Sequence, residues 1–256
     1  MNNGILLKVL TGAAALLYGT VCVMAAVSAK KARAKPLYPL IWLVAVSLNT
    51  AVFVINWVKN GFVPLVSMYQ VLVLLSLCFG LAHLYILYIR KTDLAPYFAG
   101  GSCLVSIGTT FMNNGAAWHF PPSLNSPFFV PHIFCYMLSY TLAAVAFFLM
   151  LRDIRQKKEI TDSLTCVQVL FPFMTAGLIL GALWANEVWG AYWSWDLKEC
   201  WSLFAWLCYT GALHFGKRDK YRTLTKLFVL AGFAGVIVTF FFVNMMNTTS
   251  LHSYTT

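Results

Sequence analysis

Eight apolar runs, most of them long enough to cross a bilayer, leave this chain little choice of environment. They fall at about residues 5–28, 37–58, 64–89, 94–112, 131–151, 165–186, 199–215 and 224–246. One membrane span takes about 20 mainly apolar residues, so eight need about 160. The 256 residues are 60% hydrophobic, which supplies nearly that number, and only 10% are charged, against about 25% in soluble domains. A water-soluble domain, a disordered chain and a small secreted scaffold are excluded. The predicted fold class is all-α, a polytopic membrane helix bundle of about eight transmembrane helices.

The net charge of +10 invites a nucleic-acid reading, and the placement of the charges answers it. Alternate loops hold Lys30, Lys31, Arg33 and Lys35; Arg90 and Lys91; Arg152, Arg155, Lys157 and Lys158; and Lys217, Arg218, Lys220, Arg222 and Lys226. Of the 18 basic residues only Lys8, Lys59 and Lys198 fall on the other side. The positive-inside rule makes the basic loops cytoplasmic or stromal, with both termini on the opposite face. The charge is topogenic, the partner it implies is the lipid bilayer, and no nucleic acid is expected. Val27-Ser28-Ala29 resembles a signal-peptidase site, but Met1-Asn2-Asn3-Gly4 is uncharged and the run behind it is long. A retained anchor is the expectation.

The seven cysteines (22, 78, 103, 135, 166, 200 and 208) fall singly, with no C-x-x-C pair. That spacing fits neither a disulfide framework, a zinc site nor a thioredoxin-like motif. The outer segments 113–130, 187–198 and 247–256 combine little charge with many aromatic residues and histidines. Function is expected there.

Six of the nine tryptophans (184, 189, 193, 195, 201 and 206) crowd into one stretch, interleaved with Glu187, Asp196, Lys198 and Glu199. Taken as chemistry, this is either an interfacial aromatic belt or a platform for a wide, flat, apolar ligand with a few polar edges. The run Trp189-Gly-Ala-Tyr-Trp-Ser-Trp-Asp-Leu-Lys-Glu-Cys-Trp201 resembles the WWD signature of the haem-handling superfamily. Its Lys198-Glu199 ending resembles the CcsA/ResC family of System II cytochrome c biogenesis more than the CcmC branch of System I. Pro121-Pro-Ser-Leu-Asn-Ser126 with His132 and Leu138-Ser-Tyr140, and Leu251-His252-Ser253-Tyr254, are similar to that family's two external-histidine segments. The similarity covers about 64–256, so the chain divides into two N-terminal helices (1–63) and a six-helix haem-handling core (64–256), with the WWD segment at 184–201.

The resemblance implies haem b as ligand and substrate. Haem iron accepts one axial ligand on each face, and the matching histidines, His132 and His252, are expected to supply them. Trp189, Tyr192, Trp193, Trp195 and Asp196 are expected to pack beside the macrocycle, although Asp196 also has the character of a helix cap for Leu197 onward. His214 matches the family's intramembrane histidine and implies a second haem site. His83, about two turns before Arg90, lies at similar depth and is a candidate partner, with a hydrogen bond to a neighbouring helix as its other reading. His119 is a rim residue. Where the family has an N-x-Y-E box, Ser67-Met68-Tyr69-Gln70 lacks the carboxylate.

The activity implied is haem delivery across the membrane and thioether attachment to apocytochrome c, through the two thiols of a C-x-x-C-H segment. A CcsB/ResB-like membrane protein would complete the synthase, with thiol and haem reductants as further partners, and no catalytic residue is assigned. The location implied is the bacterial inner (plasma) membrane, ahead of the thylakoid membrane, with a periplasmic or lumenal active face. Competing readings are a haem exporter without synthase activity and a membrane b-type cytochrome in quinone electron transfer. The latter usually carries histidine pairs on shared helices, whereas here each histidine stands alone on its element. A solute transporter predicts charged or broken-helix sites at mid-membrane, of which the spans offer little.

Overall fold

A computed structural model describes residues 3–28, 38–90, 93–112 and 119–245. Among them every regular element is helical: α1 (Asn3–Ser28), α2 (Tyr38–Asn60), α3 (Met68–Arg90), α4 (Ala95–Phe111), α5 (Phe129–Gln156), α6 (Thr161–Trp189), α7 (Leu197–Phe215) and α8 (Arg222–Ile237). A π-helical stretch, Val238–Phe242, continues α8 into a last short turn at Val243–Met245. Among the described residues six helices are long and apolar enough to cross a membrane, and the chain is a polytopic helical membrane protein. Outside the six stand α4, with 17 residues, and α7, whose first turn carries Lys198 and Glu199.

The chain folds as two compact units, one ending at Phe120 and one beginning at Pro121. In the first, α1 packs on α2 and α4, and α3 packs on the same two helices. Small residues set the close approaches. A Cβ on Gly101 would lie 2.2 Å from the Phe79 ring, and one on Gly19 would lie 3.3 Å from Cys103 Sγ.

The interior of this unit is not wholly apolar. On α2 the buried residues Trp42, Asn49 and Asn56 recur every seven positions, and on α3 so do Tyr69, Ser76 and His83. The helices are antiparallel and in register. Asn56 Nδ2 donates to the Tyr69 hydroxyl at 3.3 Å, Asn49 Nδ2 donates to Ser76 Oγ at 2.8 Å, and the Trp42 and His83 rings lie 4.5 Å apart. Ser76 Oγ also pairs with Ser106 Oγ of α4 at 2.8 Å. Heptad spacing keeps these groups on one facing seam, where interhelical hydrogen bonds meet polar needs that lipid cannot.

The start of α3 accounts for the missing acid at position 70. Gln70 Oε1 accepts the amides of Val66 and Ser67 at 2.9 and 3.3 Å, and Ser67 Oγ accepts the Gln70 amide at 3.4 Å. This is a capping box, in which an amide side chain serves as well as a carboxylate.

In the second unit α5 packs on α6 and α8, and α7 packs on the same two. The α5–α6 turn is fixed by Lys157 in the left-handed region (φ 53°) and by Arg152, which reaches Asp153 at 2.6 Å and Asp162 at 3.1 Å. Ser163 Oγ donates to the Ala146 carbonyl at 2.8 Å, tying the two helices one turn further in. The other end of this hairpin brings the start of α5 beside the end of α6, and the tryptophan-rich segment follows directly.

Candidate functional site

The segment between α6 and α7 is shaped by its own backbone. Gly190 stops α6 at φ 75°, in the left-handed region that costs glycine nothing. Asp196 caps α7: its carboxylate accepts the Lys198 amide at 2.7 Å, while Glu199 Oε2 accepts the Asp196 amide at 3.2 Å and the Ser194 amide at 2.8 Å. Glu199 therefore grips the amides on either side of Trp195, which is itself held at φ 58°. The Cys200 thiol donates to the Trp195 carbonyl at 3.4 Å. Bulky residues seldom occupy this region, and the clamp on both flanks maintains it. The Trp195 indole is 72% exposed and meets Trp193 edge-on at 5.9 Å, and Tyr192 is 58% exposed.

His132 stands in the first turn of α5, half-buried against α6. Its Nδ1 lies 2.8 Å from the Gly177 carbonyl oxygen. A carbonyl can only accept, so Nδ1 carries the hydrogen and the neutral ring keeps its lone pair on Nε2. Imidazoles that ligate metals commonly use this pairing, with the second nitrogen fixed by a backbone carbonyl. The ring passes over Gly181, where a Cβ would come within 2.6 Å of His132 Cε1. It contacts Trp184 at 5.7 Å between centroids, and Trp184 in turn meets Trp189 at 5.0 Å and Phe129 at 5.1 Å. Ring contacts thus run unbroken from His132 to the first tryptophan of the WWD segment.

The stretch before α5 is anchored to the same helix. The Trp184 indole N–H donates to the Ser123 carbonyl at 2.8 Å. The Ser126 hydroxyl donates to Glu187, and Ser126 Oγ accepts the Phe128 amide at 3.2 Å.

His214 is exposed near the far end of α7, its ring edge-on to Phe215 at 4.8 Å; the helix rise puts it about 27 Å from Asp196. His83 belongs to the first unit and is 3% exposed, closed in by Trp42 at 4.5 Å and Phe98 at 5.5 Å. His119 is exposed just before the unit boundary. His252 lies outside the described residues. Gly177 and Gly181 have no role assigned from the sequence, although their G-x-x-x-G spacing is the signature of a close helix–helix approach. Ser126 ends the Pro121–Ser126 segment and Glu187 lies among the tryptophans, and neither residue type alone discloses the other as its partner. Spacing on α6 places 177, 181, 184 and 187 along one face, but only the α5–α6 packing shows what that face holds.

A helical membrane protein with a histidine fixed in one tautomer beside a tryptophan-rich turn defines a class, and comparison with known proteins names its family. Residues 34–251 match the family described as Cytochrome C assembly protein, and the chain belongs to it. It is similar to the cytochrome c biogenesis protein CcsA of Chlamydomonas reinhardtii, with 29% identity over 233 residues, spanning 81% of this chain and 65% of the relative. Against the CcsA of Prochlorococcus marinus strain NATL2A the identity is 28% over 264 residues, covering 83% and 84% of the two chains. Among solved structures, the cytochrome c heme lyase CcmF aligns over 93% of this chain with a TM-score of 0.72. That alignment covers 46% of CcmF at 17% identity, so the likeness is one of fold.

Proposed function

We propose that the chain carries haem b to the non-cytoplasmic face of a bacterial plasma membrane and takes part in joining it covalently to apocytochrome c. One observation carries this reading: the His132 imidazole, with Nδ1 committed to the Gly177 carbonyl at 2.8 Å, stands in ring contact with Trp184, which meets Trp189 at the head of the WWD run. In this reading His132 and His252 ligate the iron from its two faces, and the indoles of Trp189, Trp193 and Trp195 line the edge of the macrocycle with Tyr192. Asp196 acts through the backbone, by capping α7. His214 belongs to a second, inner site on the route of the haem. His83, closed in by rings, is left out of iron coordination.

The chemistry asked of the protein is positioning. Each haem vinyl group takes up one cysteine thiol: a C–S bond forms at one vinyl carbon, the thiol hydrogen ends on the other, and no electrons are lost overall. Holding the vinyls toward an incoming peptide removes an orientational cost of several kcal/mol. The acceptor's own histidine then displaces one axial ligand and the product leaves. A CcsB/ResB-like partner and reductants for haem and thiols complete the system. In this reading both termini face the active side, following the positive-inside rule for the basic loops.

Coexpression with such a partner and an apocytochrome bearing C-x-x-C-H tests the reading. Covalent haem on the acceptor is expected, with strong loss for His132→Ala and for His252→Ala. Covalent haem at wild-type level in both variants would sink it. Haem export with no covalent product, using the intact chain, would leave only transport.

A further inference from the structure

One face of α6 touches everything that orients His132. At Gly177 the main-chain oxygen receives Nδ1, 2.8 Å away. One turn on, Gly181 leaves room for the ring, since a Cβ there would lie 2.6 Å from Cε1 and 2.7 Å from Nδ1. Trp184 packs on the ring and donates to Ser123 at 2.8 Å. Glu187, a further turn on, accepts the Ser126 hydroxyl. Positions spaced three and four apart share a helix face, so a single rigid element holds the imidazole, its hydrogen-bond partner and the strand of chain that leads into it.

Ser126 is what makes the last contact consequential. Its Oγ accepts the Phe128 amide at 3.2 Å, and its carbonyl accepts the Phe129 amide at 3.3 Å. Phe128 precedes the first residue of α5, and its carbonyl accepts the His132 amide at 3.0 Å. A hydroxyl gripped by Glu187 therefore fixes the first turn of α5, and with it the direction in which the His132 side chain leaves the backbone. The carboxylate sits on a helix end that the tryptophan-rich turn immediately follows, so the two walls of the site share one support.

We propose that Glu187, acting through Ser126, is a positioning residue for His132, with Gly181 as the clearance that lets the ring reach the Gly177 carbonyl. This rests on the reading of His132 as an iron ligand. Groups that hold a ligating side chain, without touching the metal, commonly change affinity by about 10–100-fold when removed.

The test uses the full-length protein purified with its haem, scored as haem retained per chain and by the low-spin absorption and EPR spectra. Glu187→Ala and Ser126→Ala are each expected to lower haem affinity about tenfold, and the double variant no further than either alone. Glu187→Gln, whose amide oxygen still accepts a hydroxyl, is expected to stay within about twofold of wild type. In a His132→Gly background supplied with free imidazole, Glu187→Ala is expected to have no further effect, because the added ligand is not tethered to α5. A merely structural role would weaken that rescue, and weakened rescue would overturn the proposal. Wild-type haem affinity in Glu187→Ala and Ser126→Ala, while His132→Ala has lost it, would also overturn it. Were Glu187→Ala too unstable to purify, Ser126→Ala, which removes the same contact from the other side, gives the decision. Unchanged spectra in His132→Ala would instead remove the ligand reading beneath it.

Discussion

The Nδ1 of His132 and the carbonyl oxygen of Gly177 lie 2.8 Å apart, a side chain of one helix reading the main chain of the next. Within an α-helix the Gly177 carbonyl already serves residue 181, so this bond is a second demand on one oxygen. It is possible because residue 181 lacks a side chain: a Cβ there would lie 2.7 Å from His132 Nδ1. The tautomer of the candidate ligand is thus written into the packing of α5 on α6, before any haem arrives.

Gly181→Ala tests that packing. The new methyl would need to occupy space 2.6 Å from His132 Cε1, so the ring must swing away and release the Gly177 carbonyl. Overpacking of this kind costs about 1–3 kcal/mol. A lower unfolding midpoint in detergent, together with haem loss exceeding that of an alanine placed at the open Gly108, is the expected pair of results. Haem spectra identical to wild type would show that the ring orientation is immaterial.

Trp195 separates stability from function. Its φ of 58° lies where a residue with a Cβ is disfavoured by about 1–2 kcal/mol, and its indole is 72% exposed, so little packing offsets the strain. Trp195→Gly is expected to raise the stability of the haem-free protein by up to about 1 kcal/mol while lowering haem binding. Chemical denaturation and haem titration measure the two effects. A variant that is less stable would refute the idea that the conformation is held at a cost.

Glu199 is the restraint behind that conformation. Removing its carboxylate in Glu199→Ala frees the Ser194 and Asp196 amides, 2.8 and 3.2 Å away, and is expected to cost about 1–2 kcal/mol as a lost cap. Glu199→Gln keeps an acceptor and should recover most of it. Denaturation of both variants decides, and equal losses would show that charge rather than geometry matters at this position.

Much of this architecture is legible in the sequence. The predicted run 5–28 becomes Asn3–Ser28 and 37–58 becomes Tyr38–Asn60, because an apolar stretch of span length has only a helix as its way to satisfy the backbone in lipid. Asp196 at the head of α7 was readable as a cap from residue type and position. Ser67-Met-Tyr-Gln70 also carries the S-x-x-Q signature of a capping box, which comparison with an N-x-Y-E pattern obscured. What the sequence does not disclose is tertiary. That Trp42 faces His83, Asn49 faces Ser76 and Asn56 faces Tyr69 follows from the register of two helices, and Gly181 matters only because α5 crosses it there.

The seam between α2 and α3 supplies a last prediction, which also separates the two units by function. Asn49 and Ser76 are 3% and 1% exposed and bonded at 2.8 Å, so a double-mutant cycle with Asn49→Leu and Ser76→Ala should return a coupling of about 0.6 kcal/mol, the average for an interhelical hydrogen bond measured this way in a membrane protein. His83, in the next layer, is packed at 4.5 Å on Trp42 and 5.5 Å on Phe98, and filling its place with leucine preserves volume within the ring cluster. His83→Leu is therefore expected to leave the haem absorption and EPR spectra unchanged, while His132→Ala abolishes or weakens them. Recording both variants under one condition is the measurement. A spectrum altered by His83→Leu alone would move iron coordination into the first unit.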